Sequence, residues 1–405
     1  MIIGYDASRA FIGKKTGTEN YSYQILSHLQ KIDHNNKYYV YVRAGSSRPL
    51  QSGSDNPTPT IIPYPRLWTQ FGLALQTFID PLDILFIPAH TLPIIRKPGL
   101  KTVITVHDLG AEFLPESHQL KQRLYLNFMT YHQLKSASHI IAVSEATKQD
   151  IIKKVGIDPR KITVVYEGYD KEKFESGRCR TKFEINQTIK KYNLMYQNYF
   201  LFVGTIQPRK NLERLIEAFS VIAILSDPAI AGESKEKQSQ EDKIATSGRK
   251  IDPPRNDDLK LVLAGGKGWL SDEIYALPKK LGIEDKVKFL GYVPDEDLPA
   301  LYSGAQAFLF PSLFEGFGLP ILEAFACNCP VLTSNISSLP EVAGPADAGA
   351  TIIVDPYSVE DIAQGIRRIM NKELRIKLVQ AGREQLKKFS WEKAAKETLA
   401  VLENT

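Results

Sequence analysis

The chain alternates short β-rich runs with helical stretches, and it does so twice. Strands separated by helices pair in parallel, because a helix must carry the chain back across the sheet before the next strand starts. In the first half, residues 1–5, 38–42, 84–87, 102–106, 139–143 and 162–165 read as strands, and helical periodicity covers 20–30, 120–136 and 145–155. In the second half, strands fall at 199–203, 260–264, 287–289, 307–310, 330–333 and 350–354. Helices fit 211–223, 295–303, 320–326, 359–370 and 372–388 there, with a last amphipathic helix at 391–403. The expectation is an α/β chain of two doubly wound, Rossmann-like domains joined near 170–195.

Length agrees with two domains, since 405 residues exceed what one ordinary core serves. The polar segment 227–258 sits between a helix and a strand, where a few residues normally suffice, and reads as a disordered surface insert. No apolar run reaches 18 residues, and the N-terminus reads at once as a strand, so a cytoplasmic protein is expected. Cys179, Cys327 and Cys329 are odd in number, which suggests neither a disulfide framework nor a zinc site. Residues 1–180 carry 23 Lys+Arg against 16 Asp+Glu, while the remainder carries 28 against 30. A basic first half could meet an anionic membrane or acceptor, or be ordinary solvated lysines. Without interleaved aromatic and basic residues, nucleic-acid binding is not expected.

Doubly wound sheets bind ligands beyond the carboxyl ends of their strands. After 199–203 come Gly204-Thr205-Ile206-Gln207-Pro208-Arg209-Lys210-Asn211 and a helical run. Gly204 permits a tight exit, and two cations at a helix mouth suit a diphosphate, although solvated loop cations fit equally. After 307–310 comes Phe314-Glu315-Gly316-Phe317-Gly318-Leu319-Pro320, then Glu323. The glycines allow backbone to approach a ligand, and carboxylates accept hydrogen bonds from vicinal hydroxyls. Glu323 is expected in the first turn of its helix, where dipole stabilisation competes with a binding role. His107 ends the strand 102–106 and could be a site residue or a satisfied structural histidine. Gly13 and Gly17 frame an expected loop before the first helix. Gly265-Gly266-Lys267-Gly268 lacks the spacing of a phosphate loop and reads as a turn.

These motifs, in this order, resemble glycosyltransferase family 4, also called group 1: the retaining GT-B glycosyltransferases. The resemblance spans nearly the whole chain and is strongest from Tyr199 to Val354. Val106-His107-Asp108 and Ala142-Val143-Ser144-Glu145 resemble its first-half signatures.

The resemblance implies a GT-B fold with the active site in an interdomain cleft. Its domains would be an acceptor-side domain at 1–180, a nucleotide-sugar domain at 190–388 and a terminal helix at 389–405 crossing back to the first. Arg209 and Lys210 would neutralise the leaving diphosphate, and Glu323 would bind the ribose. Glu315 and His107 would lie by the transferred sugar. Backbone of Gly316, Phe317, Gly318 and Leu319 would touch sugar and phosphate, with Tyr292 and Val293 beside the base. Gly17 and Gly204 would contact the donor. No metal or other cofactor would be required.

Thr205 stands where many relatives carry a basic residue, and Gly17-Thr18-Glu19 lacks their second glycine. The leading reading is hexosyl transfer, with mannose from GDP-mannose, to a glycan or lipid-linked acceptor in cell-surface polysaccharide synthesis. A UDP-sugar donor, a GT-B nucleotide-sugar epimerase and a catalytically inactive sugar-nucleotide scaffold are the alternatives. Residues 120–129 mix cations with bulky apolar residues and could lie on a membrane, giving peripheral contact with its inner face, or pack in the core.

Overall fold

The first unit is built on strands whose central residues are mainly apolar and buried. The computed structural model describes residues 1–12, 17–44, 60–63, 68–89, 91–109, 131–175, 181–225, 259–344 and 349–405. Gly13, Cys179, the stretch 120–129 and the insert 227–258 lie outside them. Seven described strands form one parallel sheet: β1 (Ile2–Asp6), β2 (Lys37–Arg43), β3 (Thr60–Ile62), β4 (Ile84–Ile87), β5 (Lys101–Val106), β6 (His139–Ala142) and β7 (Ile162–Val164). Their order is β3-β2-β1-β4-β5-β6-β7. Strands covered on both faces cannot alternate apolar with polar, hence the fully buried run Ile84, Leu85, Phe86 and Ile87.

The second unit repeats the plan with six described strands: β8 (Tyr199–Val203), β9 (Lys260–Ala264), β10 (Val287–Gly291), β11 (Ala307–Phe310), β12 (Val331–Ser334) and β13 (Ile352–Val354). Their order is β10-β9-β8-β11-β12-β13, again with every pair parallel. Phe202, Phe308 and Phe310 stack through its centre, with ring centroids 5.9 and 5.3 Å apart. Each sheet reverses its winding direction once, between β1 and β4 and between β8 and β11. Such points leave a crevice at the carboxyl ends, because the flanking helices diverge to opposite faces.

By packing of the backbone, one unit comprises Met1–Tyr169, Glu315–Leu319 and Lys388–Thr405, and the other Asp170–Phe314 and Pro320–Lys387. In the first, the terminal helix Trp391–Asn404 packs on the helix Gly17–Ile32. A Cβ on Gly168 would fall 2.1 Å from the Trp391 amide nitrogen, so a glycine is needed where that helix begins. Ser390 caps it by accepting the Lys393 amide.

Several elements differ from expectation. Gly17 is the first residue of a helix and not part of a loop. The helix carrying Glu323 starts at Leu319, one residue early, which moves Glu323 into the second turn. Strand β3 has three residues, too few to show a period. The helix Lys182–Lys190 opens on a capping box, Thr181 with Glu184, a local signal that the strand–helix alternation does not use. The helix Asp272–Lys280 keeps Pro278 in its final turn, against the usual breaking role of proline.

Among the described residues no helix is long and apolar enough to cross a membrane. Cys327 and Cys329 are buried and not joined in a disulfide.

Candidate active site

In the first unit the exits of β4, β5, β6 and β7 converge on His107. Its Nδ1 lies 3.1 Å from Glu167 Oε1 and its Nε2 lies 3.2 Å from the Pro88 carbonyl. The Tyr21 ring stands edge-on to the imidazole, centroids 4.7 Å apart. Three contacts from three elements leave the ring one orientation. Glu167 is itself buried. It follows β7, so inspecting the residues after that strand would have found it.

The loop after β11 reaches the same place, since Glu315–Leu319 packs within this unit. A Cβ on Gly316 would sit 1.7 Å from the His107 carbonyl oxygen. Only a glycine lets the two backbones approach so closely. Ser144 Oγ donates to the Gly316 carbonyl at 2.7 Å, and Thr147 Oγ1 approaches it at 3.2 Å. The same Ser144 caps the helix Glu145–Val155. Gly318 has φ +116°, a conformation that side chains resist. Phe317 is buried between Tyr166 and Phe389, which anchors the loop through aromatic edges. Glu315 is buried as well.

In the second unit the exits of β8 and β11 flank the switch point. Pro208–Lys210 forms a single tight turn, and Asn211, with φ 59°, hands the chain to the helix Leu212–Leu225. That turn is tied to the exit of β11. Asn211 Nδ2 donates to the Pro311 and Pro356 carbonyls at 3.0 and 2.7 Å. The Leu313 amide donates to the Arg209 carbonyl at 3.0 Å, and Arg209 Nη1 donates to the Phe314 carbonyl at 3.2 Å. Lys210 is buried, with Nζ 5.2 Å from the centre of the Phe310 ring. A Cβ on Gly204 would meet the Phe202 ring at 3.2 Å and the Lys210 stem at 3.7 Å. Arg209 is therefore held by a backbone carbonyl, and Lys210 is buried with its amine over the Phe310 ring.

Glu323 receives a hydrogen bond from the Tyr302 hydroxyl, 2.9 Å to Oε2. Tyr302 is buried against Phe174 and Phe308, and no local pattern in the sequence points to it. Burial pushes the Glu323 carboxyl above the usual carboxylate range, partly offset by Lys173 and by the Tyr302 bond. A carboxylate has room for further donors beyond one phenol. Tyr292 is exposed just after β10, and Val293 beside it is buried. Gly17 is exposed, with nothing within 4 Å of an added Cβ.

Gly265–Gly268 proves to be a close-approach segment. Ile206 N donates to the Gly266 carbonyl at 3.0 Å, and Gly268 N donates to the Ile206 carbonyl at 2.9 Å. Among the described residues no group of three or more His, Cys, Asp or Glu side chains is arranged to hold a metal ion.

The Glu323 carboxyl gives a pH test. Its folded pKa is raised, so its contribution favours the fold below the ordinary range and is lost as pH rises through the folded value. Glu323→Gln should therefore melt higher than the native protein near neutral pH. The difference should close as pH falls from about 7 to about 4. Melting curves across that range are the check, and a difference independent of pH would contradict it.

Comparison with known proteins decides the family. Residues 15–173 match Glycosyltransferase Family 4, and residues 242–385 match Glycosyl transferases group 1. The chain is 32% identical over 300 residues to O-antigen chain mannosyltransferase B of Escherichia coli, covering 74% of this chain and 69% of that protein. The chain belongs to glycosyltransferase family 4, group 1.

This glycosyltransferase is also 29% identical over 253 residues to the O-antigen chain mannosyltransferase RfbU of Salmonella typhimurium, 62% of this chain and 56% of that one. The fold has a counterpart in sucrose-phosphate synthase from Thermosynechococcus elongatus, with TM-score 0.70 and 18% identity over 100% of this chain and 98% of that one. The fold is GT-B: two Rossmann-like domains with parallel sheets.

Proposed function

We propose that this glycosyltransferase moves mannose from GDP-mannose, with retention of configuration and without a required metal. The acceptor is a growing glycan or lipid-linked saccharide of a cell-surface polysaccharide, met on the cytoplasmic side. The tethered turn carrying Arg209 and Lys210 at the β8/β11 switch point carries the donor assignment. The mannosyl choice rests on the names of the two O-antigen relatives.

Bond cleavage moves negative charge onto the departing diphosphate. Cations already held in place stabilise that state more than the ground state, because no reorganisation is needed when charge develops. Arg209 and Lys210 supply the charge, and Gly204 brings backbone close to the phosphates. Glu323 accepts hydrogen bonds from the ribose hydroxyls, with Tyr302 holding its other face. Backbone near Tyr292 and Val293 flanks the base. In the first unit His107, oriented by Glu167, meets the sugar hydroxyls near the reacting carbon. Glu315 and the backbone of Gly316 to Leu319 contact the sugar and phosphate, and Gly17 is assigned to the same donor.

A melting screen against GDP, UDP, ADP and dTDP and their sugar conjugates, with EDTA and then with Mg²⁺, tests this reading. A ligand that binds only the folded state raises the melting temperature. GDP and GDP-mannose should give the largest shift, unchanged by EDTA. Selection of UDP would transfer the assignment to a UDP-sugar donor. No shift with any nucleotide would count against the transferase reading, and a shift without turnover on any acceptor would favour an inactive sugar-nucleotide scaffold. Formation of an α-linked product from the α-linked donor, read by NMR, checks retention.

A further inference from the structure

The second unit begins with a short helix, Lys171–Phe174, that carries none of the residues assigned to the donor. Asp170 caps it by accepting the Lys173 amide at 3.0 Å. Phe174 is buried and meets the Tyr302 ring edge-on, centroids 6.2 Å apart. Its carbonyl accepts the Cys327 thiol at 3.7 Å, just past the helix that carries Glu323. Lys173 Nζ lies 4.7 Å from the centre of the Phe174 ring and 3.2 Å from Asp295 Oδ2. The Asp295 side chain is 73% exposed, and an ion pair with one end in water adds little to stability. The pair alone therefore gives Lys173 little to do.

Glu323 gives it more. The Tyr302 hydroxyl, on the helix Leu298–Gly304, reaches Glu323 Oε2 at 2.9 Å. Burial keeps that phenol protonated, so it donates. One fixed bond sets the plane of the carboxylate and leaves it capacity for a vicinal diol. The charges around the acid come from two other segments: Lys173 and Asp170 at the short helix, and Asp295 after β10. Burial pushes the Glu323 carboxyl up, Lys173 and then the Tyr302 bond pull it down, and Asp295 and Asp170 push it up again. Lys173 is the cation of this set. Without it the acid takes up a proton more readily, and a protonated carboxyl is a poorer acceptor for ribose hydroxyls.

We propose that Tyr302 and Lys173 are positioning residues for ribose recognition, the phenol fixing one oxygen of the Glu323 carboxylate and the ammonium balancing its charge. The proposal rests on the assignment of Glu323 to the ribose, and not on which base the donor carries. Its consequence is that donor affinity falls as pH falls, at a point set by Lys173.

The test compares GDP with 2′,3′-dideoxy-GDP by calorimetry at one pH, with the uridine pair in their place if the melting screen selects UDP. The native protein should prefer GDP about a hundredfold, the worth of two hydrogen bonds to a charged group. Glu323→Gln should lose most of that preference. Tyr302→Phe should cut it to about tenfold and raise the donor KM with kcat near native, at a melting temperature that shows a folded protein. The affinity for GDP-mannose from about pH 5 to about 8 then reads the charge, with Glu323→Gln as the background from other groups. Lys173→Gln should move the loss of affinity to higher pH, and Asp295→Asn should move it to lower pH. If the two variants shift it the same way, or neither shifts it, the pair is only a structural tie and the role of Lys173 is overturned. If the native preference is present and Tyr302→Phe keeps it whole, the role of Tyr302 is overturned while the ribose assignment stands. A native protein that binds both nucleotides equally would overturn the ribose assignment and this proposal with it.

Discussion

Lys210→Ala is expected to lower kcat/KM about a thousandfold, about 4 kcal/mol of transition-state stabilisation. The ammonium is held on a buried stem between Gly204 and the Phe310 ring. Its turn is pinned by Asn211 and Arg209 to the exit of β11. A cation placed this firmly loses little entropy when charge appears on the leaving group, so most of its attraction reaches the barrier. The loss should appear mainly in kcat, because charge on the diphosphate grows during cleavage. Steady-state kinetics with saturating donor make the measurement. A loss below tenfold would remove Lys210 from the chemistry and leave it a packing residue.

Gly316→Ala is expected to slow transfer about a hundredfold or more while the protein still folds. The added Cβ would lie 1.7 Å from the His107 carbonyl oxygen, and that atom is backbone, unable to swing aside as a side chain could. The loop must retreat. It would then lose the Ser144 and Thr147 bonds to the Gly316 carbonyl and disturb Phe317 among its aromatic neighbours. Such overpacking costs about 1–3 kcal/mol, a few degrees of melting temperature for a unit this size. Displacing Glu315 and its neighbours by about 1 Å costs about a hundredfold or more in rate. Gly266→Ala is the matched control for stability, since nothing lies within 4 Å of an added Cβ there. Near-native activity in Gly316→Ala would mean the loop does not need this close approach.

Much of the architecture was legible in the chain itself. Runs such as Ile84–Ile87 and Ala307–Phe310 are apolar without alternation, and that alone marks strands covered on both faces. The exits of β5, β8 and β11 could then be searched for chemistry, which put His107, Arg209, Lys210 and Glu315 under consideration. Errors came where local signals were short or shared. Gly17 suits a loop or a helix start equally, and one residue at Leu319 shifted Glu323 by one position, just past the first turn.

Hydrophobic period and strand–loop–helix order are local properties, and the sequence by itself determined them: two doubly wound domains, the family, and the candidate residues at strand exits. Only the tertiary structure decided which of those residues are held, and by what. Glu167 against His107, Tyr302 against Glu323, Gly316 on the His107 backbone and Gly168 under Trp391 join residues separated by 60, 21, about 210 and about 220 positions. No local pattern encodes such pairs. They exist because the folded chain packs together loops and helices that lie far apart in sequence.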